Sequence, residues 1–264
     1  MTSPAILLTR VRETQPLVQC ITNYVAMNVA ANVVLAAGAS PAMVHAAEEA
    51  EEFAGIAGAL TVNIGTLSPA WVEGMKGAIK GATGAGKPWV LDPVAHFATA
   101  FRRKTIADLL DLRPTIVRGN ASEIIALGGG TSAGQGVDSG DPVEQAEQAA
   151  RDLARDRGIV VAVTGEVDFV TDGRQAARIE GGSALMPRVT ALGCSLTCVV
   201  GAYAAVAPEH PFEATVAALA VFAAAGEKAA TDAHGPGSFA VRLLDALHTL
   251  DGGDLRPERR ITLS

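Results

Sequence analysis

Aromatic side chains are scarce: seven Phe, two Trp and two Tyr make up 4% of 264 residues. A core for a chain of this length therefore has to be built from Ala, Val, Leu and Ile. Cysteine is also sparse. Cys20, Cys194 and Cys198 are an odd number without framework spacing, which excludes a disulfide scaffold. Met1 to Arg12 has neither the continuous apolar core nor the small-residue cleavage site of a secretory leader. The expected compartment is a reducing cytoplasm. Positive charge is in deficit, with 21 Lys and Arg against 28 Asp and Glu, a net −7. Basic residues stand at most three together, as in Arg102-Arg103-Lys104, which excludes a sequence-independent nucleic-acid surface. The apolar runs Leu196–Ala207 and Ala214–Ala225 are too short to span a bilayer, so no membrane partner is expected. Cys194 and Cys198 are one helical turn apart, but the five histidines are scattered and no second ligand pair stands nearby, which excludes zinc.

What the chain has is 49% hydrophobic residues, 28 glycines and a regular alternation of short β-prone runs with Ala-rich helical segments. Strands are predicted at 17–22, 41–45, 60–64, 89–91, 115–118 and 159–163, with helices at 27–37, 48–52 onward, 68–80, 101–112 and 142–156 between them. A hairpin over 167–171 and 175–179, turned at Asp172-Gly173, and three closing helices complete the reading. The segment 185–190 reads as a further β-prone run. Such alternation implies an α/β fold in three layers, α/β/α, with a largely parallel central sheet. No linker-like stretch divides it, so a single domain over 1–264 is expected; Gly128–Gly140 is a glycine-rich loop.

The most informative stretch is Val189–Val206. A small-residue turn, Ala191-Leu192-Gly193, leads through Cys194 into an apolar helix without charge until Glu209. A helix N-terminus has backbone N–H groups without intrahelical partners and a positive dipole end, which suits a phosphate and lowers the pKa of a nearby thiol. Cys194 is thus read either as a base or nucleophile or as a buried strand–helix corner residue.

In parallel sheets ligands gather beyond the carboxyl ends of the strands. The residues at those ends are Asn23, Met43, Gly65, Asp92, Arg118, Asn120, Thr164 and Gly165. Asn120 and Glu123 have capping-box spacing. The same pair, with Arg118 two residues earlier, also suits a polyphosphate and a hydrated Mg²⁺. Asp92 is a second hard oxygen ligand or the cap of a turn before Pro93. Thr164-Gly165 offers a hydroxyl and a bare backbone to a nucleotide, or is an ordinary strand-ending turn. Gly81–Lys87 has P-loop spacing, but Pro88 follows where Ser or Thr is required, and the segment precedes a strand instead of following one. It reads as a helix C-terminal turn.

Taken together, Pro16–Met43, LDPV (Leu91–Val94), RGNASEI (Arg118–Ile124), GVDS (Gly136–Ser139), Val160–Gly173 and HGPGSF (His234–Phe239) resemble the hydroxyethylthiazole kinases, within the ribokinase-like kinases. The resemblance spans about Pro16 to Leu250 and implies a ribokinase-like fold and phosphoryl transfer from ATP to the hydroxyl of hydroxyethylthiazole. It assigns Met43, with Asn23, Gly65 and Ala191, to the thiazole pocket. Arg118 and Thr164, with Gly165, Asn120 and Gly193, go to ATP, and Asp92 and Glu123 to Mg²⁺ and the phosphates. Cys194 stands where related sugar kinases place a catalytic aspartate. It further implies a homotrimer with shared active sites. Ala191-Leu192 replaces the Gly-Thr associated with the family. Ala191 gives up the ease with which glycine takes φ > 0, and Leu192 gives up a hydroxyl. Two alternatives remain: a hydroxymethylpyrimidine or pyridoxal type of kinase, and a non-catalytic thiazole- or nucleotide-binding homologue.

Overall fold

The computed structural model describes residues 2–130 and 142–264. GVDS and most of the Gly128–Gly140 loop lie outside the described residues. The strands are β1 (Leu17–Ile21), β2 (Ser40–Ala42), β3 (Ala59–Asn63), β4 (Trp89–Asp92), β5 (Ile116–Asn120), β6 (Val160–Thr164), β7 (Asp168–Thr171), β8 (Ala176–Ile179) and β9 (Ile261–Leu263). The helices are α1 (Pro4–Thr14), α2 (Met27–Ala37), α3 (Ala50–Ile56), α4 (Pro69–Gly84), α5 (Ala100–Leu110) and α6 (Ala121–Leu127), then α7 (Val143–Arg157), α8 (Leu192–Val206), α9 (Pro211–Ala230), α10 (Pro236–Thr249) and α11 (Pro257–Arg260).

All nine strands form one sheet in the order β2-β1-β3-β4-β5-β6-β7-β8-β9. The first six are parallel, and the last three pair antiparallel. Period-two alternation sorts the strand side chains onto two faces. Val18, Cys20, Val90, Ile116, Val160 and Ala162 join a core with α1, α2, α8, α9 and α10. Ile21, Trp89, Leu91, Val117, Val161 and Val163 join another with α3 to α7. The outcome is the expected α/β/α sandwich, with β3 and β4 buried throughout and the edge strand β2 half-buried.

Four elements differ from the sequence reading. The run 185–190 is not a strand: a 3₁₀ turn occupies Met186–Arg188, because Pro187 has no N–H for a ladder and Gly181 and Gly182 before it both take φ > 0. Helix α1, the short α11 and strand β9 were not anticipated. β9 pairs with β8 through residues distant in sequence, and at three residues, Ile261–Leu263, it is too short to show an alternation.

Two features of this fold position the site. The chain passes from β1 to β2 through α2 on one face, then back past β1 to β3 through α3 on the other. The order therefore reverses between β1 and β3, the kind of switch point at whose carboxyl ends open α/β sheets bind ligands. Helix α8 packs across β1, β3 and β4. Gly201 permits this close seating: a Cβ there would come 2.5 Å from Thr61 Cγ2 and 3.2 Å from Val18 Cγ1.

Alanine is the better helix former by about 1 kcal/mol, yet Gly201→Ala is predicted to destabilise the protein by about 1–3 kcal/mol through overpacking. Urea unfolding checks this; an equal or more stable variant would show that α8 has room to lift.

Candidate active site

Ala191 opens α8 at φ 66°, in the left-handed region, although it carries a Cβ. The turn is thus kept without glycine, at a cost in strain. No side chain caps this N-terminus. The N–H groups of Leu192, Gly193 and Cys194 precede the first intrahelical bond and point their positive end at the site.

Beneath them the parallel strands deliver their last residues. Asn63 and Asp92 are register partners at the ends of β3 and β4, as are Asn120 and Thr164 at the ends of β5 and β6. Asn23, just beyond β1, donates from Nδ2 to Cys194 Sγ at 3.3 Å and to Asn63 Oδ1 at 2.9 Å. Asn63 donates to Asp92 Oδ2 at 2.7 Å, and Thr197, one turn after Cys194, donates to the same oxygen at 2.8 Å. Arg118 lies 3.8 Å from Asp92 Oδ2 and donates to the Thr164 hydroxyl. Its guanidinium also approaches Gly193, where a Cβ would stand 3.0 Å from Nη1.

Both readings of Asn120 and Glu123 are compatible with this geometry. The capping box is formed, Asn120 N–H to Glu123 Oε2 at 2.8 Å and Glu123 N–H to Asn120 Oδ1 at 2.9 Å. Glu123 Oε1 accepts the Ala95 N–H at 2.9 Å, which ties the loop after β4 to α6. Gly65 donates its N–H to Asn63 Oδ1 at 2.9 Å, and an added Cβ would collide with Asn23. Gly165 donates to Asp168 Oδ1 at 2.9 Å. Met43 stands one residue past the edge strand β2, half-buried against the core that holds α8.

Burial dominates the electrostatics. It pushes the Asp92 carboxyl upward, with Arg118, Thr197 and Asn63 opposing. It pushes Glu123 up to about 7, reinforced by the Asp92 charge. Two buried carboxylates near one guanidinium repel each other, a situation a divalent cation relieves. Among the described residues, buried Asp92 Oδ1 and Arg118 Nε have no hydrogen-bond partner. Mg²⁺ is commonly held by one or two carboxylates plus substrate phosphates, so these residues fit it.

One expectation is corrected. The thiol of Cys194 is not lowered: burial, then the Asp92 charge, push it up to about 12, outweighing Asn23 and Arg118. A helix N-terminus contributes only a fraction of a unit charge, too little against desolvation of a thiolate.

Asn63, Thr197 and Arg102 were not picked out from the sequence. Arg102 at the start of α5 donates to Ile64 O and Val94 O, each at 2.8 Å, and to Gly65 O, clamping the loops after β3 and β4. The available signals were an Asn closing an apolar strand and a Thr at i+3 from the cysteine on one helix face.

A parallel sheet between helix layers, with an open helix N-terminus over an Asp–Arg pair at the strand ends, defines a ribokinase-like small-molecule kinase. The same fold is found, at 16% identity and TM-score 0.62, in pyridoxal kinase from Staphylococcus aureus, with 94% of this chain and 97% of that one covered. The model of the hydroxyethylthiazole kinase family matches residues 8–252. A hydroxyethylthiazole kinase of Rhizobium leguminosarum bv. trifolii is 72% identical over 99% of this chain and 98% of its own length. Another, from Gemmatimonas aurantiaca, is 61% identical over 98% and 93%. The solved hydroxyethylthiazole kinase structure from Pyrococcus horikoshii superposes with TM-score 0.88 at 39% identity, covering 99% and 98%. The chain belongs to the hydroxyethylthiazole kinase family and is a kinase.

The thiol provides a direct check. The rate of Cys194 carbamidomethylation by iodoacetamide, read by mass spectrometry, is predicted to rise with pH without a plateau up to pH 10. A plateau below pH 9 would show a thiolate poised for base catalysis.

Proposed function

We propose that this chain transfers the γ-phosphoryl group of ATP to the primary hydroxyl of 4-methyl-5-(2-hydroxyethyl)thiazole. The observation that carries the reading is the convergence of Asn23, Cys194, Asp92 and Arg118 around the open N-terminus of α8. The acceptor ring lies at the β1–β3 switch point, bounded by Met43, Asn23, Gly65 and Ala191, with its hydroxyl toward Cys194. The nucleotide lies beyond β5 and β6, its phosphates against Arg118, Thr164, Gly165, Asn120 and Gly193. Asp92 and Glu123 would hold Mg²⁺, which neutralises phosphate charge when bound.

Phosphoryl transfer of this kind depends on position and charge and leaves little covalent work to the protein. The N–H groups of Leu192, Gly193 and Cys194 stabilise the oxygens of the group in flight. With its pKa raised to about 12, the Cys194 thiol stays protonated at neutral pH and acts by hydrogen-bonding the attacking hydroxyl. The hydroxyl proton then leaves to the phosphoryl oxygens. This revises the role of Cys194 from base to orienting group.

We further infer a single kinase domain over 1–264, supported by one continuous sheet from β2 to β9. A homotrimer with shared sites is supported by the exposed apolar residues Tyr24 and Val25 directly after Asn23. A cytoplasmic setting in thiamin biosynthesis or salvage fits the three free thiols. Among the described residues no helix is long and apolar enough to cross a membrane.

ADP release from ATP on addition of the thiazole alcohol, followed in a coupled assay, tests the activity; silence with this alcohol alongside turnover of pyridoxal would transfer the chain to the other kinase type. Arg118→Ala is expected to raise the KM for ATP and lower kcat, losing about 1.5–3 kcal/mol of a charge-assisted contact. Titration calorimetry of the thiazole alcohol alone should be unchanged. Cys194→Ala is expected to lose less than the ~10²-fold that marks a general base. Sedimentation equilibrium is expected at three times the 26.9 kDa chain mass, and full specific activity in a monomer would overturn the shared site.

A further inference from the structure

The hydrogen bonds around Cys194 have a polarity that no single side chain chooses. A backbone N–H can only donate, so an amide facing one must present its oxygen. Gly65 N–H meets Asn63 at 2.9 Å, and this orients Asn63 with Oδ1 toward Gly65 and Nδ2 toward Asp92. Ala26 N–H meets Asn23 Oδ1 at 3.1 Å, which turns Asn23 Nδ2 toward both Asn63 Oδ1 and Cys194 Sγ. The sulfur is therefore an acceptor toward Asn23, and its own proton is directed elsewhere. At the other end Asp92 Oδ2 is occupied by Asn63 and Thr197, while Oδ1 has no partner among the described residues. Asn63 is 2% exposed, so these bonds form in a low-dielectric interior that strengthens them.

One buried amide thus joins the two halves of the site. Its oxygen holds Asn23 and Gly65 on the acceptor side; its nitrogen holds Asp92 on the phosphate side. We propose that Asn63 is a positioning residue that couples acceptor binding to nucleotide binding, through the chain Cys194–Asn23–Asn63–Asp92. A ligand that pulls on Asp92 draws the Asn63 amide with it, and the rigid buried bond passes the displacement to the Asn23 group that faces the acceptor. This inference rests on the proposed acceptor and nucleotide sites and deepens that reading.

Thr197 supplies the control. It shares Asp92 Oδ2 with Asn63 but has no bond to Asn23, so Thr197→Val perturbs the phosphate side alone. Asn63→Asp is nearly isosteric. It keeps an oxygen for Gly65 and Asn23, loses the donor to Asp92 and sets a carboxylate against a carboxylate.

The measurement is the Kd of the thiazole alcohol, by titration calorimetry, with and without saturating AMP-PCP and Mg²⁺. In the wild type the nucleotide analogue is expected to tighten acceptor binding by about fivefold or more, the usual lower range of coupling between sites. Asn63→Asp is expected to bring that factor to near one while the acceptor Kd without nucleotide stays within about twofold. Thr197→Val is expected to weaken AMP-PCP yet keep the factor. Far-UV circular dichroism and urea unfolding establish that each variant is folded. If Asn63→Asp is not, Asn63→Ser replaces it; its shorter side chain also gives up the bond to Asn23, so only the factor is read, again expected near one. The inference is overturned by a wild-type factor near one, by retention of the factor in the folded Asn63 variant, or by equal loss in Thr197→Val. Absence of acceptor binding in the wild type overturns the functional reading itself, and this inference with it.

Discussion

The seating of α8 on the sheet is the constraint from which the rest of the site follows. Gly201 lets the helix approach Thr61 and Val18 closely, and that depth sets where the N-terminal turn ends. With α8 in this position Thr197 reaches Asp92, Cys194 meets Asn23, and Gly193 lies against the Arg118 guanidinium. Strain at Ala191, held at φ 66°, is tolerated because the helix behind it is buried along most of its length. A helix raised by one methyl group would loosen all of these contacts together.

That geometry imposes an electrostatic problem. Asp92 and Glu123 are both buried, both pushed upward by desolvation, and face a single guanidinium. In water the carboxylates would ionise independently. Here burial opposes their charge, and Arg118 and hydrogen bonds are what favour it. Such a site disfavours a thiolate, since burial and then the Asp92 charge both oppose further negative charge there. The Cys194 thiol is raised by burial first and by the Asp92 charge second, and Asp92 Oδ1 has no partner among the described residues.

Much of this was readable from the chain. Helix α2 begins and ends where the Ala-rich run 27–37 predicts, and β1, β3, β5 and β6 agree within a residue or two. The residues gathered at the site are mostly the polar ones at predicted strand ends, because a parallel sheet brings all its carboxyl ends to one edge. The run 185–190 misled because its β-branched and apolar content was counted while Pro187 and the two glycines before it were not. Asn63 and Thr197 went unnoticed because each stands within an apolar element and gains its meaning only from Asp92.

Sequence alone determined the order of most elements, the burial of the sheet between helices, the small-residue turn that opens the helix at Cys194 and the polar set at the strand ends. These depend on periodicity and on neighbours a few residues apart. Tertiary structure alone decided the strand order with its reversal between β1 and β3, the left-handed conformation retained at Ala191, the polarity of the amide chain and the direction in which the Cys194 thiol shifts. Each of these depends on groups far apart in the chain: Asn23 and Cys194 are separated by 171 positions, Asn63 and Asp92 by 29. Desolvation and hydrogen-bond partnership belong to the packed environment, and no local pattern of residues encodes them.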